Sequence, residues 1–246
     1  MKINKINYLV SVKSKQESTL ACKSGVDFID IKDPSKGALG VAKIETVTEI
    51  VKNVKKIGFS GLISTTFEDT KSRKSDAERE VFFKYLLSGI DLLKIGITNS
   101  HLSCENFFNY FNKSLIEEIK KNTKIKEKKF LVPVLLMSKN FDFSVLSKIL
   151  TSHIFDLYYG LMIDTNIKDN GSLFDLFTKK EIIEIKKLCV EKKLNFGIAG
   201  SLKSSDISLV KEINPTWVGF RGGVCKKGRT GELCTKKIIA IKLAIS

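Results

Sequence analysis

"DFIDIKDPSKGALG", residues 27–40, is the stretch on which the fold turns. Phe28–Ile31 is a short run interrupted by a single carboxylate, and it ends abruptly in Lys32-Asp33-Pro34. A run of this length, closed by charge, proline and glycine, predicts a buried β-strand rather than a helix. Charges at the end of a buried strand are costly unless they are paired or used. Asp30 and Lys32 are two residues apart, so on a strand they share a face.

Working outward, the same kind of run recurs along the chain. Strands are predicted at Tyr8–Val12, Phe28–Ile31, Gly61–Thr65, Leu92–Ile95, Leu131–Leu136, Gly160–Ile163, Phe196–Ala199 and Trp217–Phe220. Helical spacing fills the gaps at Ile44–Lys55, Asp76–Leu87, Leu115–Lys121, Lys179–Glu191 and Ser205–Glu212, the last with a hydroxyl cap at Ser204 or Ser205. Eight strands alternating with helices in 246 residues predict a single (β/α)8 TIM barrel, one catalytic domain over 1–246. The alternative is a doubly wound open sheet, but no G-x-G-x-x-G opens a helix after the first strand. The lysine-heavy segment from Asn112 to Lys129 reads as a surface helix and loop ahead of the fifth strand.

Composition narrows the function classes. The apolar run near the N-terminus, Tyr8–Val12, is too short for a signal-peptide core or a membrane span, so a soluble cytoplasmic protein is expected. Five cysteines without a C-x-x-C pair read as reduced thiols. The two histidines, His101 and His153, have no ligand spacing to cysteine or carboxylate, so no metal site is expected. The net charge of +15 suggests nucleic acid, yet only four of the 42 basic residues are arginine and the lysines are spread along the chain. A solvated lysine-rich surface is the plainer reading, and its field would draw in anionic metabolites.

In a barrel the reacting groups lie at the C-terminal strand ends. Lysine stands at three of them: Lys32 in "IDIKDP", Lys94 in "LLKIGI" and Lys168 in "MIDTNIKDNGSLFD". Lysine is common in this chain, but Lys94 sits inside an apolar run and requires a partner there. Asp30 and Asp164 occupy the same barrel end. Burial and neighbouring cations favour a neutral, nucleophilic lysine amine. The aspartates would move protons as a carbinolamine forms and collapses. The chemistry indicated is Schiff-base catalysis on a carbonyl compound. After the seventh and eighth strands, "FGIAGSLKSSD" and "VGFRGGVC" supply Gly200, Ser201, Arg221, Gly222 and Gly223, at the usual phosphate position of barrels. The glycines there also fit plain turns.

These segments, with "AGSLKSSDISLVKEINPTWVGFRGGVC", resemble the signature stretches of the (5-formylfuran-3-yl)methyl phosphate synthase family, also called 4-(hydroxymethyl)-2-furancarboxaldehyde-phosphate synthase. The resemblance runs from Val10 to about Cys225. It implies a TIM-barrel lyase of methanofuran biosynthesis and one-carbon metabolism. Such an enzyme condenses two molecules of glyceraldehyde 3-phosphate, with loss of phosphate and water and without a cofactor. It implies a Schiff base on Lys32, with Asp30, Lys94, Asp164 and Lys168 as essential partners. The partners expected are the small-molecule substrate and copies of the same chain, with no nucleic acid and no membrane. The segments "STTFEDTKSRKSD" and Asn99–Lys129 depart from the family pattern in polarity and length. Rival readings are another Schiff-base aldolase acting on a sugar phosphate, and a basic nucleic-acid-binding protein.

Overall fold

A computed structural model describes residues 5–67, 76–97, 108–111, 113–122, 129–139, 141, 143–166 and 171–246. Eight parallel strands close into a barrel in the order β1 to β8. They are β1 Asn7–Val12, β2 Phe28–Ile31, β3 Leu62–Phe67, β4 Leu92–Ile97, β5 Leu131–Met137, β6 Gly160–Thr165, β7 Asn195–Ile198 and β8 Trp217–Phe220. Closure is made by β8 against β1, with Tyr8 opposite Val218 and Val10 opposite Phe220. The open-sheet alternative is thereby excluded, and the predicted strands are all present.

The strands read as nearly unbroken apolar runs because both faces are covered. Alternate residues such as Val10, Ile29, Ile31, Leu93, Ile95, Ile163 and Val218 face outward into the layer shared with the helices. The other parity, Leu9, Phe28, Leu92, Val132, Met162 and Trp217, packs as a separate cluster inside the barrel. Trp217 plugs the lower end against Phe28 and Tyr159, with ring centroids 6.0 and 5.9 Å away. A Cβ at Gly197 would lie 2.0 Å from the Trp217 ring, so β7 admits the indole only because residue 197 lacks a side chain.

The helices Ile44–Lys56 and Lys179–Glu191 fall where their spacing predicts. Ile44–Lys56 buries Val47, Ile50, Val51 and Val54, a stripe at helical period. Thr178 and Glu181 form a capping box at the start of Lys179–Glu191. Two expectations need correction. The Ser204–Asp206 segment is a separate 3-10 turn ahead of the helix Ile207–Ile213. That turn is closed by the Asp206 carboxylate, which accepts from the Lys203 N–H at 2.8 Å, and not by a serine hydroxyl. The helices Lys15–Lys23, Ser144–Leu150 and Thr235–Ile245 were not anticipated. Lys15–Lys23 escapes a periodicity search because the face it buries is Glu17, Ser18 and Ala21. The helix Lys113–Lys121 lies within the lysine-heavy stretch before β5, as read from the sequence.

Among the described residues no helix is long and apolar enough to cross a membrane. Lys168 and most of the polar segments after β3 and β4 lie outside the described residues.

Candidate active site

The C-terminal end of the barrel opens into a cavity of about 380 Å³. Asp30, Lys32, Lys94 and Asp164 line it together with Gly200, Ser201, Arg221, Gly222 and Gly223. A shallower depression of about 580 Å³ at the opposite end, around Asp27 and Phe59, gathers no comparable set of charges.

Asp30 is the centre of the charged group. The β-ladder places it opposite Ser11 of β1 and Ser64 of β3. Ser11 Oγ donates to Asp30 Oδ2 at 2.9 Å and Ser64 Oγ donates to Oδ1 at 2.7 Å. The Lys94 ammonium pairs with Oδ1, and Lys32 Nζ lies 3.9 Å from Oδ2. Thus one carboxylate, fully buried, is flanked by two lysines and two hydroxyls. Burial by itself would raise the Asp30 carboxyl strongly. The charges of Lys94 and Lys32, with hydrogen bonds from Lys94 and Ser64, outweigh it and hold the group below the usual carboxylate range. Asp30 is therefore ionised at neutral pH.

Lys32 stands one residue beyond β2 and is 7% exposed, and its Nζ is 3.5 Å from the Ala38 carbonyl. The loop from Asp33 to Gly40 that carries Ala38 is pinned at its base by the Asp33 N–H, which donates to the Gly40 carbonyl at 2.8 Å. Lys32 thus belongs at once to the strand end and to the loop that folds over it. Lys94 is 3% exposed and makes the tighter contact with Asp30. Asp164 ends β6, and its Oδ1 accepts the Thr165 N–H at 2.8 Å.

Gly200 and Ser201 both have positive φ, 119° and 49°, which turns the backbone sharply after β7. A Cβ at Gly200 would lie 2.7 Å from Thr165 Cγ2, so the turn after β7 packs tightly against the end of β6. Gly223 is equally confined, 2.7 Å from the Leu202 carbonyl, whereas a Cβ at Gly222 would meet nothing closer than 3.7 Å.

Arg221 is placed differently from the phosphate ligand expected of it. Its Nη1 donates to Glu17 at 2.5 Å and to the Ser11 carbonyl at 3.0 Å. Its Nη2 donates to Glu17 at 3.1 Å and to the Gly231 carbonyl at 2.7 Å, and its Nε donates to the Arg229 carbonyl at 2.7 Å. All five guanidinium N–H groups are engaged within the protein. Arg221 thus ties the loop after β8 to β1 and the first helix. Its distance in sequence from Glu17 hides this pairing from a reading of local motifs.

Three contributors went unnoticed in the sequence. Ser11 and Ser64 are neutral residues inside strands and carry no charge to betray them. Arg229, in the loop beyond β8, lines the cavity and donates to the Gly37 carbonyl.

The sequence model of the 4-HFC-P synthase family matches residues 8–242. The chain belongs to that family. A relative from Methanosarcina barkeri, named (5-formylfuran-3-yl)methyl phosphate synthase, is 28% identical over 227 residues, covering 92% of this chain and 93% of its own. A protein of the same name from Archaeoglobus fulgidus is 28% identical over 255 residues, with 96% of each chain covered. Among solved structures, phosphoribosyl anthranilate isomerase from Thermus thermophilus superposes with a TM-score of 0.62 at 9% identity, covering 98% of both chains. That likeness extends to the barrel fold alone. Members of the 4-HFC-P synthase family are enzymes.

Proposed function

We propose that this member of the 4-HFC-P synthase family condenses two molecules of glyceraldehyde 3-phosphate into (5-formylfuran-3-yl)methyl phosphate through a Schiff base on Lys32. The names of the relatives support the product. One observation carries the chemistry: a buried lysine beside a carboxylate that a second lysine already neutralises. Lys94, in the tighter contact with Asp30, serves as the resident counter-cation. Lys32, on the longer contact and at the cavity wall, serves as the nucleophile.

In the proposed sequence the Lys32 amine adds to an aldehyde carbon, and the carbinolamine loses one water to give an iminium ion. The iminium acidifies the adjacent C–H, and a carboxylate of the cavity, Asp30 or Asp164, takes that proton. The resulting enamine carbon bonds to the second triose phosphate. Water later returns the lysine and replaces the water lost when the iminium formed; phosphate leaves by elimination, and two dehydrations aromatise the ring. Overall, two triose phosphates less one phosphoric acid and two waters equal the furan phosphate with no change in oxidation level. No step therefore calls for an electron carrier. The Gly200–Ser201 and Gly222–Gly223 turns are assigned to phosphate, with backbone N–H groups as donors.

Borohydride trapping tests this reading. With glyceraldehyde 3-phosphate, the wild-type protein should acquire a reduced adduct that peptide mass mapping places on Lys32. Lys32→Arg keeps the charge but cannot supply a neutral amine, and should fold normally without trapping. Lys94→Arg should still trap while turning over slowly. An adduct that persists in Lys32→Arg would move the nucleophile elsewhere.

A further inference from the structure

Thr66 holds a hydroxyl that the fold does not use. Leu62, Ser64 and Thr66 alternate along β3 and so share its inward face. Three neighbouring hydroxyls are committed: Ser11 and Ser64 donate to Asp30, and Thr65 Oγ1 donates to the Ile31 carbonyl at 2.9 Å. Thr66 Oγ1 is buried as well, yet no protein group among the described residues bonds to it. Thr66 is 0% exposed, so its hydroxyl bears the cost of burial without a bond in exchange. For the fold alone, valine would serve better in this place.

The strand register fixes its neighbours. Thr66 is paired with Lys94 of β4, and Thr65 is paired with Ile31 of β2, so Lys32, one residue on, stands level with Thr66. Neighbouring strands lie about 4.8 Å apart, which sets the hydroxyl between the two lysines of the site. Both ammonium groups are drawn to Asp30 instead. Gly96 is one inward step beyond Lys94, and a Cβ there would come within 2.6 Å of Leu39 Cδ1. Ala38, next to Leu39, belongs to the interior cluster that holds Leu92, Val134 and Leu136. The loop after β2 thus reaches into the mouth above the rung of Thr66 and Lys94, and both residues are buried. In a rung so shielded from water, a hydrogen-bond donor acts strongly on negative charge that develops beside it.

We propose that Thr66 is a further catalytic residue of this site, whose hydroxyl donates to the aldehyde oxygen as Lys32 Nζ bonds to the aldehyde carbon. The inference rests on the reading of Lys32 as the nucleophile. In that step the N–C bond forms as the carbonyl π bond breaks, and the π electron pair passes to the oxygen. A proton from the attacking nitrogen then completes the carbinolamine hydroxyl. Thr66 gives a hydrogen bond throughout and no proton, so it emerges unchanged. A neutral donor suits the place, since it holds the oxygen without adding charge to a rung that already carries two lysines.

The test uses Thr66→Val, which keeps the shape and removes the hydroxyl, and Thr66→Ser, which keeps the hydroxyl. Thr66→Val should melt at or above the wild-type midpoint, because it removes an unbonded buried polar group. Its borohydride-trapped adduct with glyceraldehyde 3-phosphate should form at least about tenfold more slowly. The half-saturating concentration should change far less than the maximal rate, as expected of a contact made in the transition state. Thr66→Ser should recover most of the rate. A valine variant that melts several degrees below the wild type would overturn the inference, since the hydroxyl would then be bonded within the fold. Trapping at the wild-type rate, or a serine variant as slow as the valine one, would overturn it too. Should the wild type form no adduct, the Schiff-base reading fails, and calorimetric titration with sn-glycerol 3-phosphate decides the role of Thr66. The C1 hydroxyl of that compound stands in for the aldehyde oxygen. Binding weaker by about tenfold in Thr66→Val then sustains the contact, and unchanged affinity or no binding by the wild type overturns it.

Discussion

Asp30→Asn is the substitution that most directly probes how the site is held together. Asparagine matches the shape of aspartate, so packing changes little, but it removes the charge shared by Lys94 and Lys32. The amide NH2 must then face one of the ammonium groups or a serine hydroxyl that now donates to Oδ1 or Oδ2. Asp30 is wholly buried and Lys94 is 3% exposed, so solvent screens neither. Breaking a buried pair by removing one partner costs about 3–5 kcal/mol. For a chain of this size each kcal/mol shifts the midpoint by roughly 2–4 °C, so a drop of about 6–20 °C is expected in thermal denaturation.

Two controls make the argument specific. Asp30→Asn/Lys94→Met removes both charges and should recover at least half of the loss, because no uncompensated ammonium of Lys94 remains buried. The pH dependence has a definite sign. The folded-state Asp30 carboxyl is depressed, so its contribution is fully present above its unfolded pKa of about 3.9 and is lost as pH falls through the lower folded value. The stability gap between wild type and Asp30→Asn should therefore stay constant from neutrality down to about pH 4 and shrink only below it. A gap below about 0.5 kcal/mol at pH 7 would refute the reasoning. So would a double variant as unstable as the sum of the singles, or a gap that closes between pH 7 and 5.

The glycine turn separates shape from function. Gly222→Ala should fold like the wild type, since its Cβ has 3.7 Å of room, but should need more substrate for saturation; unchanged saturation would show that Gly222 serves only the turn. Gly223→Ala should melt several degrees lower, because its Cβ would press on the Leu202 carbonyl at 2.7 Å, and a midpoint equal to that of Gly222→Ala would contradict this. No step assigned to Lys32 passes through a metal, and among the described residues no three His, Cys, Asp or Glu side chains gather as a ligand set. Dialysis against EDTA should accordingly leave the rate of furan phosphate formation unchanged; a large loss reversed by a divalent ion would count against the mechanism.

The barrel was legible because its strands are buried on both faces and separated by charge, glycine and proline. Phe28–Ile31 and Trp217–Phe220 have the boundaries read from the sequence, and β3, β4 and β6 run two residues further at their upper ends. What could not be read was held together by contacts distant in sequence. The helix Lys15–Lys23 buries a carboxylate, and that polar face is stable only because Arg221 arrives 204 positions later. The same pairing redirects Arg221 away from the role its loop suggested. Lys32, Lys94, Asp30 and Asp164 stood out because charge in an apolar run demands an explanation.

The structure shows the rule by which Ser11 and Ser64 join them. On five strands the inward-facing residue changes from apolar to polar in a single step of two: Leu9 to Ser11, Phe28 to Asp30, Leu62 to Ser64, Leu92 to Lys94 and Met162 to Asp164. At about 3.3 Å of rise per residue, each step is completed within about 7 Å along its strand. Polar groups buried this close above a packed apolar core are poorly reached by water, which strengthens the charge interactions among them. That is how burial can work so strongly against the Asp30 carboxylate and still be outweighed by its neighbours. It also explains why the lower end must be filled by Trp217, with Gly197 cut back to admit it. Water entering from below would weaken the contact between Asp30 and Lys94. The apolar plug at one end of the barrel and the buried charges at the other are parts of one electrostatic arrangement.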